Sequence, residues 1–247
     1  MKLFSLIFIL FLPLLSFAAS NCFIVSDEQG KTIHEEGDCT IRYTPASSFK
    51  IPLALMGFDS GIFKNPSDPV WKYKAEYNAS LKIHQQDLNP QTWMNVSAVW
   101  YSQILTRKLG MKKFQSYIDE FNYGNKDLSG GLTEAWLGTS LKISPQEQVI
   151  FIKNFIDKKW PLSENAYRYT KEIINKGILH DQWELYGKTG SMTPLGWFVG
   201  WIEKNNKTYI FAYLRTDEDI NAEPIARMEA RVENAKVKLI EFINKKA

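Results

Sequence analysis

Apolar residues recur at steps of three and four over residues 49–58, 96–108, 111–121, 145–158 and 163–176, which predicts five helices. Segments rich in Gly, Asn, Pro and Ser separate them, notably 65–69 and 124–131. Toward both ends the periodicity switches. Residues 22–26 and 31–35 read as a β-hairpin about a turn at 27–30. Residues 183–192, 195–202 and 208–214 are aromatic and β-branched, with turns at Thr193-Pro194 and Asn205-Asn206, and predict an antiparallel meander. Beyond them, Ile225, Met228, Val232, Ala235, Leu239 and Ile243 line one face of a helix over 223–244 that would lie on the sheet. Strands at both ends with helices between imply an α/β (α+β) fold. One antiparallel sheet is built from the two termini and flanked by helices, with a helical lobe inserted. The sheet lobe is expected over about 19–44 and 181–247, and the helical lobe over about 45–180, within a single domain.

The N-terminal segment stands apart. Lys2 precedes an uncharged apolar run from Leu3 to Phe17, followed by Ala18, Ala19 and Ser20. This is the pattern of a secretory signal peptide over 1–18, with cleavage expected after Ala18 and a mature domain over 19–247. The run is shorter than the ~20 apolar residues of a membrane span, and no later run is long enough. The mature chain is therefore expected to be secreted or periplasmic, with no membrane attachment. Loss of Lys2 takes the formal charge from +3 to +2, too small and too dispersed to imply a nucleic acid partner. Cys22 and Cys39 either bridge the hairpin in an oxidising compartment or stay as buried thiols. The three His, at 34, 84 and 180, lack ligand spacing, so no metal site is expected. Catalysis must then draw mostly on Ser, Lys, Tyr, Asp and Glu.

Two motifs carry such chemistry. In Ser47-Ser48-Phe49-Lys50, Pro45 suits a helix start, Ser47 lies in the first turn, and Lys50 follows one turn on, on the same face. Free N–H groups at the helix start and an amine neutralised by burial would activate the Ser47 hydroxyl. In Lys188-Thr189-Gly190-Ser191, on a predicted strand, Gly190 allows close backbone approach. Lys188 and Thr189 suit a carboxylate, and the Ser191 N–H suits an oxyanion. S-x-x-K followed by K-T-G is the pairing of penicillin-binding proteins and serine β-lactamases.

The residues between them narrow the reading. Ser97-Ala98-Val99, Tyr123-Gly124-Asn125, Trp136-Leu137 and Gly196-Trp197-Phe198-Val199-Gly200-Trp201 accompany Pro45-Ala46-Ser47-Ser48-Phe49-Lys50 in order. Together they resemble the class D, oxacillinase-type, serine β-lactamases over nearly the whole mature chain. Ser48 departs from the Thr usual in that family.

The resemblance implies hydrolysis of β-lactams through a Ser47 acyl-enzyme. Lys50, carboxylated by carbon dioxide, would be the general base, and no other cofactor is implied. Ser97 would relay a proton to the lactam nitrogen, and Trp136 would donate its indole N–H to the carbamate. Lys188 would add positive charge, and Thr189 would bind the substrate carboxylate. The N–H groups of Ser47 and Ser191 would form the oxyanion hole, with Gly190 between strand and substrate. An Arg near the C-terminus is implied for the same carboxylate. Arg231 is chosen over Arg227, because it lies nearer the apolar stripe of the last helix.

The residue chemistry points the same way. Carbon dioxide adds only to a neutral amine, so a lysine with an ordinary pKa of about 10.4 must be desolvated. Phe49, Val99, Trp136 and Leu137 are expected to wall off Lys50. The alternative is a β-lactam sensor or penicillin-binding domain that is acylated without turnover. The expected partners are β-lactam small molecules, to a monomer or homodimer.

Overall fold

The structure, a computed structural model, describes residues 21–246. The signal-peptide expectation for 1–18 lies outside the described residues. Among the described residues there are six strands: β1 (Cys22–Ser26), β2 (Thr32–Gly37), β3 (Asn175–His180), β4 (Trp183–Met192), β5 (Leu195–Lys204) and β6 (Lys207–Arg215). They form one sheet in the order β2-β1-β6-β5-β4-β3, every pairing antiparallel. The two ends of the chain meet where β1 pairs with β6, Cys22 opposite Leu214. Cys22 and Cys39 are joined by a disulfide, which settles the alternative that the sequence left open.

Both faces of the sheet are covered, which explains why β5 is buried over eight successive residues instead of alternating. One face meets the helices α1 (Lys50–Asp59), α2 (Pro90–Val96), α3 (Val99–Glu120), α4 (Pro145–Ile156) and α5 (Glu164–Ile173). Ile24, Tyr186, Trp197, Val199 and Trp201 point into the core on that side. The other face carries the last helix, α6 (Pro224–Lys246), which packs Ala235, Leu239, Phe242 and Ile243 against Phe23, Leu185, Phe198 and Phe211.

Some expectations change. The helix expected over 163–176 stops at Ile173, and the chain turns into β3, an exposed edge strand without apolar alternation. The helix expected from 96 begins at Val99. Ser97 adopts a left-handed φ of 66° and Ala98 is extended, which separates α2 from α3. Gly110, with φ 73° and ψ 157°, breaks α3 near the boundary expected between the second and third helices. On α6 the apolar stripe starts later than its spacing implied, because Ile225 is exposed and burial begins at Arg231. Among the described residues, no helix is long and apolar enough to cross a membrane.

Candidate active site

The site begins at a tight helical turn, Ala46–Phe49, that leads into α1. Ala46 takes a left-handed φ of 47° while buried, a conformation that costs about 1–3 kcal/mol and survives only where its surroundings enforce it. Here the enforcement is visible. Ser48 Oγ donates to Pro45 O at 2.7 Å, and Gln148 Nε2, from α4, donates to Ser48 Oγ at 3.0 Å. Ser48, the neighbour of Ser47, thus holds the turn, while Ser47 is left half-buried.

Lys50 lies one turn on, and its Nζ donates to Ser47 Oγ at 3.0 Å. Its side chain is 1% exposed, and burial pushes its pKa from 10.5 down to about 7. The expected wall is partly aromatic. Phe49 stacks on Trp136 at 5.6 Å, and Phe114 meets Trp136 edge-on at 6.2 Å. Leu137 packs half-buried against this core, and Val99 is half-buried at the start of α3. Thr44 Oγ1 donates to Trp136 O at 2.9 Å and accepts from Gly138 N at 3.0 Å, fixing the irregular turn Ala135–Thr139. Trp136 Nε1 is buried without a hydrogen-bond acceptor, an unusual state for an indole.

Ser97 sits between α2 and α3. The peptide before it is held on both sides. Ser97 N donates to Trp93 O at 2.8 Å, and His84 Nε2 donates to Val96 O at 2.8 Å. Burial holds the His84 pKa below its ordinary value, aided by the positive charges of Lys50 and Lys188.

β4 supplies the opposite wall. A Cβ placed on Gly190 would lie 2.6 Å from Pro45 O and 3.3 Å from Ser47 N, so the strand runs directly against the turn that carries Ser47. Lys188 is 3% exposed, and its Nζ donates to Thr189 O at 3.1 Å and Thr189 Oγ1 at 3.2 Å. Burial first, then the charges of Lys50, Lys176 and Arg231, drive its pKa far below the ordinary lysine value. Ser191 is exposed at the strand end. Arg231 lies beneath this end, its side chain fully buried and paired with Glu218 at 2.6 Å. Arg227 donates to the carbonyls of Asp219 and Ile220.

The structure brings Ser47, Lys50, Gly190 and Lys188 to one junction between α1 and β4. Sequence reasoning did not reach Gln148, Thr44, His84 or Glu218. All four act through contacts distant in sequence, and none carries a local motif.

Comparison with known proteins agrees with this geometry. A model of the penicillin binding protein transpeptidase domain matches residues 23–235. Beta-lactamase OXA-9 of Klebsiella pneumoniae is 41% identical over 233 residues, covering 84% of this chain and 85% of the relative. Beta-lactamase OXA-1 of Escherichia coli is 36% identical over 207 residues, covering 77% of this chain and 74% of the relative. The crystal structure of OXA-427, a class D β-lactamase, superposes with a TM-score of 0.84 at 36% identity, covering 92% of this chain and 100% of that one. The chain belongs to the penicillin-binding transpeptidase family and, within it, to the class D serine β-lactamases.

Proposed function

We propose that the chain hydrolyses β-lactams through an acyl-enzyme on Ser47, with Lys50 as the base. The observation that carries this reading is the buried Lys50 amine, 3.0 Å from Ser47 Oγ and brought to a pKa of about 7 by its surroundings. Only a neutral amine adds carbon dioxide, and burial makes the neutral form available near neutral pH. The residues around it fit a carbamate. Trp136 Nε1 offers a buried, unpaired N–H, and a negative group on Lys50 would offset the positive charges crowding Lys188. Held on Lys50 as a carbamate, carbon dioxide would supply a basic oxygen beside Ser47 Oγ.

Ser47 Oγ attacks the β-lactam carbonyl carbon, and the N–H groups of Ser47 and Ser191 receive the developing oxyanion. The carbon–nitrogen bond then breaks, and the nitrogen takes a proton relayed through the Ser97 hydroxyl, with Lys188 beside it. Thr189 and Lys188 bind the ring carboxylate. Trp136, Leu137 and Val99 limit the access of bulk water to Lys50. Water attacks the Ser47 ester and frees the enzyme. Residues 1–18 direct export, and the Cys22–Cys39 disulfide suits the oxidising periplasm.

Turnover tests the reading. Purified protein should release many product molecules per chain from benzylpenicillin, with a transient adduct on Ser47 seen by mass spectrometry of quenched samples. A single stoichiometric burst with a lasting adduct would instead identify a sensor or penicillin-binding domain.

A further inference from the structure

We propose that Glu218 and Arg231 form a buried positioning pair that aims the Ser191 N–H at the nucleophile, and that Arg231 is not the anchor of the substrate carboxylate. The contacts of Arg231 all lead to protein. Nε donates to Glu218 Oε1 at 2.6 Å, and Nη2 donates to Glu218 Oε2 at 2.7 Å. Nη1 donates to Gly190 O at 3.0 Å and Trp197 O at 3.4 Å. The Arg231 side chain is 0% exposed and that of Glu218 8%. A substrate carboxylate would have to displace a bidentate carboxylate already in place, leaving Glu218 buried and unpaired.

The pair also lies flat on the backbone of the β4–β5 hairpin. A Cβ on Gly196 would meet Glu218 Oε1 at 2.0 Å and Arg231 Nε at 2.2 Å. Gly196 is the register partner of Ser191, and Trp197 that of Gly190. Glu218 N donates to Pro194 O at 3.1 Å, so the same residue ties down the turn. Gly190, Trp197 and Gly196 are therefore met by the side chains of one ion pair, and Pro194 by the Glu218 main chain.

The geometry of the peptide unit gives this a catalytic meaning. Gly190 C=O and Ser191 N–H belong to one planar trans peptide, so they point in opposite directions. Arg231 holds the carbonyl on the side of β4 that faces β5, because the same nitrogen also donates to Trp197 O opposite it. The Ser191 N–H is then directed away from β5, at the stretch of β4 that runs against Pro45 and Ser47. A cationic donor on the carbonyl also polarises the amide and strengthens its N–H as a donor. Glu218 neutralises the buried guanidinium and sets its plane.

The inference rests on the hydrolytic reading above, whose failure would show as an inactive wild type. The test compares Arg231→Ala and Glu218→Gln with wild type on benzylpenicillin and on its methyl ester, which lacks the carboxylate. Positioning predicts that kcat falls about 10- to 100-fold for Arg231→Ala, by the same factor on acid and ester, with each KM little changed. Glu218→Gln should lose less, again equally on both substrates. Affinity for phenylboronic acid, whose adduct on Ser47 places an oxygen in the same hole without a carboxylate, should fall in parallel. If Arg231→Ala does not fold, Glu218→Gln decides with the same three readouts. A loss confined to the acid and expressed in KM would overturn the proposal. So would a lower KM for the acid in Glu218→Gln, which would make Glu218 a competitor of the substrate.

Discussion

Lys50 Nζ donates to Ser47 Oγ at 3.0 Å from a position that is 1% exposed. Burial sets its pKa to about 7, and the ammonium form neither takes the serine proton nor adds carbon dioxide. In pH profiles of kcat/KM for benzylpenicillin, activity should fall below about pH 7. Added bicarbonate should raise it most on that acidic limb. A flat profile from pH 5 to 8 would count against Lys50 as the base.

The same burial costs stability. Between pH 7 and 10.5 the unfolded chain keeps the Lys50 proton and the folded chain does not, so through this group stability rises with pH across that window. Lys50→Met removes the burden while keeping the volume. It should be inactive yet melt above wild type, and the gain should shrink as the pH is raised from 7 toward 10.5. Thermal melts at a series of pH values check this.

Trp136→Phe keeps a ring to stack on Phe49 and loses the buried N–H that has no acceptor. A hydrogen bond to a charged group contributes about 1.5–3 kcal/mol. The bicarbonate concentration for half-maximal activity should rise about 10- to 100-fold, with a melting temperature near wild type. Titration of activity with bicarbonate measures it. An unchanged midpoint would remove Trp136 from the site.

Ser97 holds a φ of 66°, a region that glycine enters without steric cost. Ser97→Gly should therefore fold at least as well as wild type while losing the hydroxyl relay. A drop in acylation rate of about 100- to 10,000-fold is expected by stopped flow. Full activity would show that another group protonates the leaving nitrogen.

The Cys22–Cys39 bridge closes a separation of 17 residues, for which chain entropy gives about 3 kcal/mol. Replacing both cysteines by Ala should lower unfolding free energy by about that amount in urea titrations. It should leave kcat near wild type, because the bridge lies outside the Ser47 junction.

Much of this architecture is legible in the chain. The aromatic and β-branched runs of β4, β5 and β6 declare themselves because each is long and buried. β3 does not, because Asn175, Lys176, Gly177 and Ile178 lie exposed at the sheet edge and carry no alternation. α2 spans only seven residues, too few for helical periodicity, although Asn89 and Thr92 form a capping box that marks its start. Ser47, Lys50 and Lys188 stand in local motifs whose spacing is set by one helical turn or one strand. Glu218 has no such signature. Its role arises because α6 returns over the β4–β5 hairpin, and no local pattern records that crossing.

β1 finds its partner β6 only when nearly the whole chain exists, and β4 depends on β5 for its place. Contacts so distant in sequence form slowly. A nascent fragment ending ahead of β4 carries Ser47 and Lys50 but lacks the strand of Ser191. Antibiotic hydrolysis is thus a property of the finished chain alone, and in vitro it can serve as a direct clock for closure of the sheet.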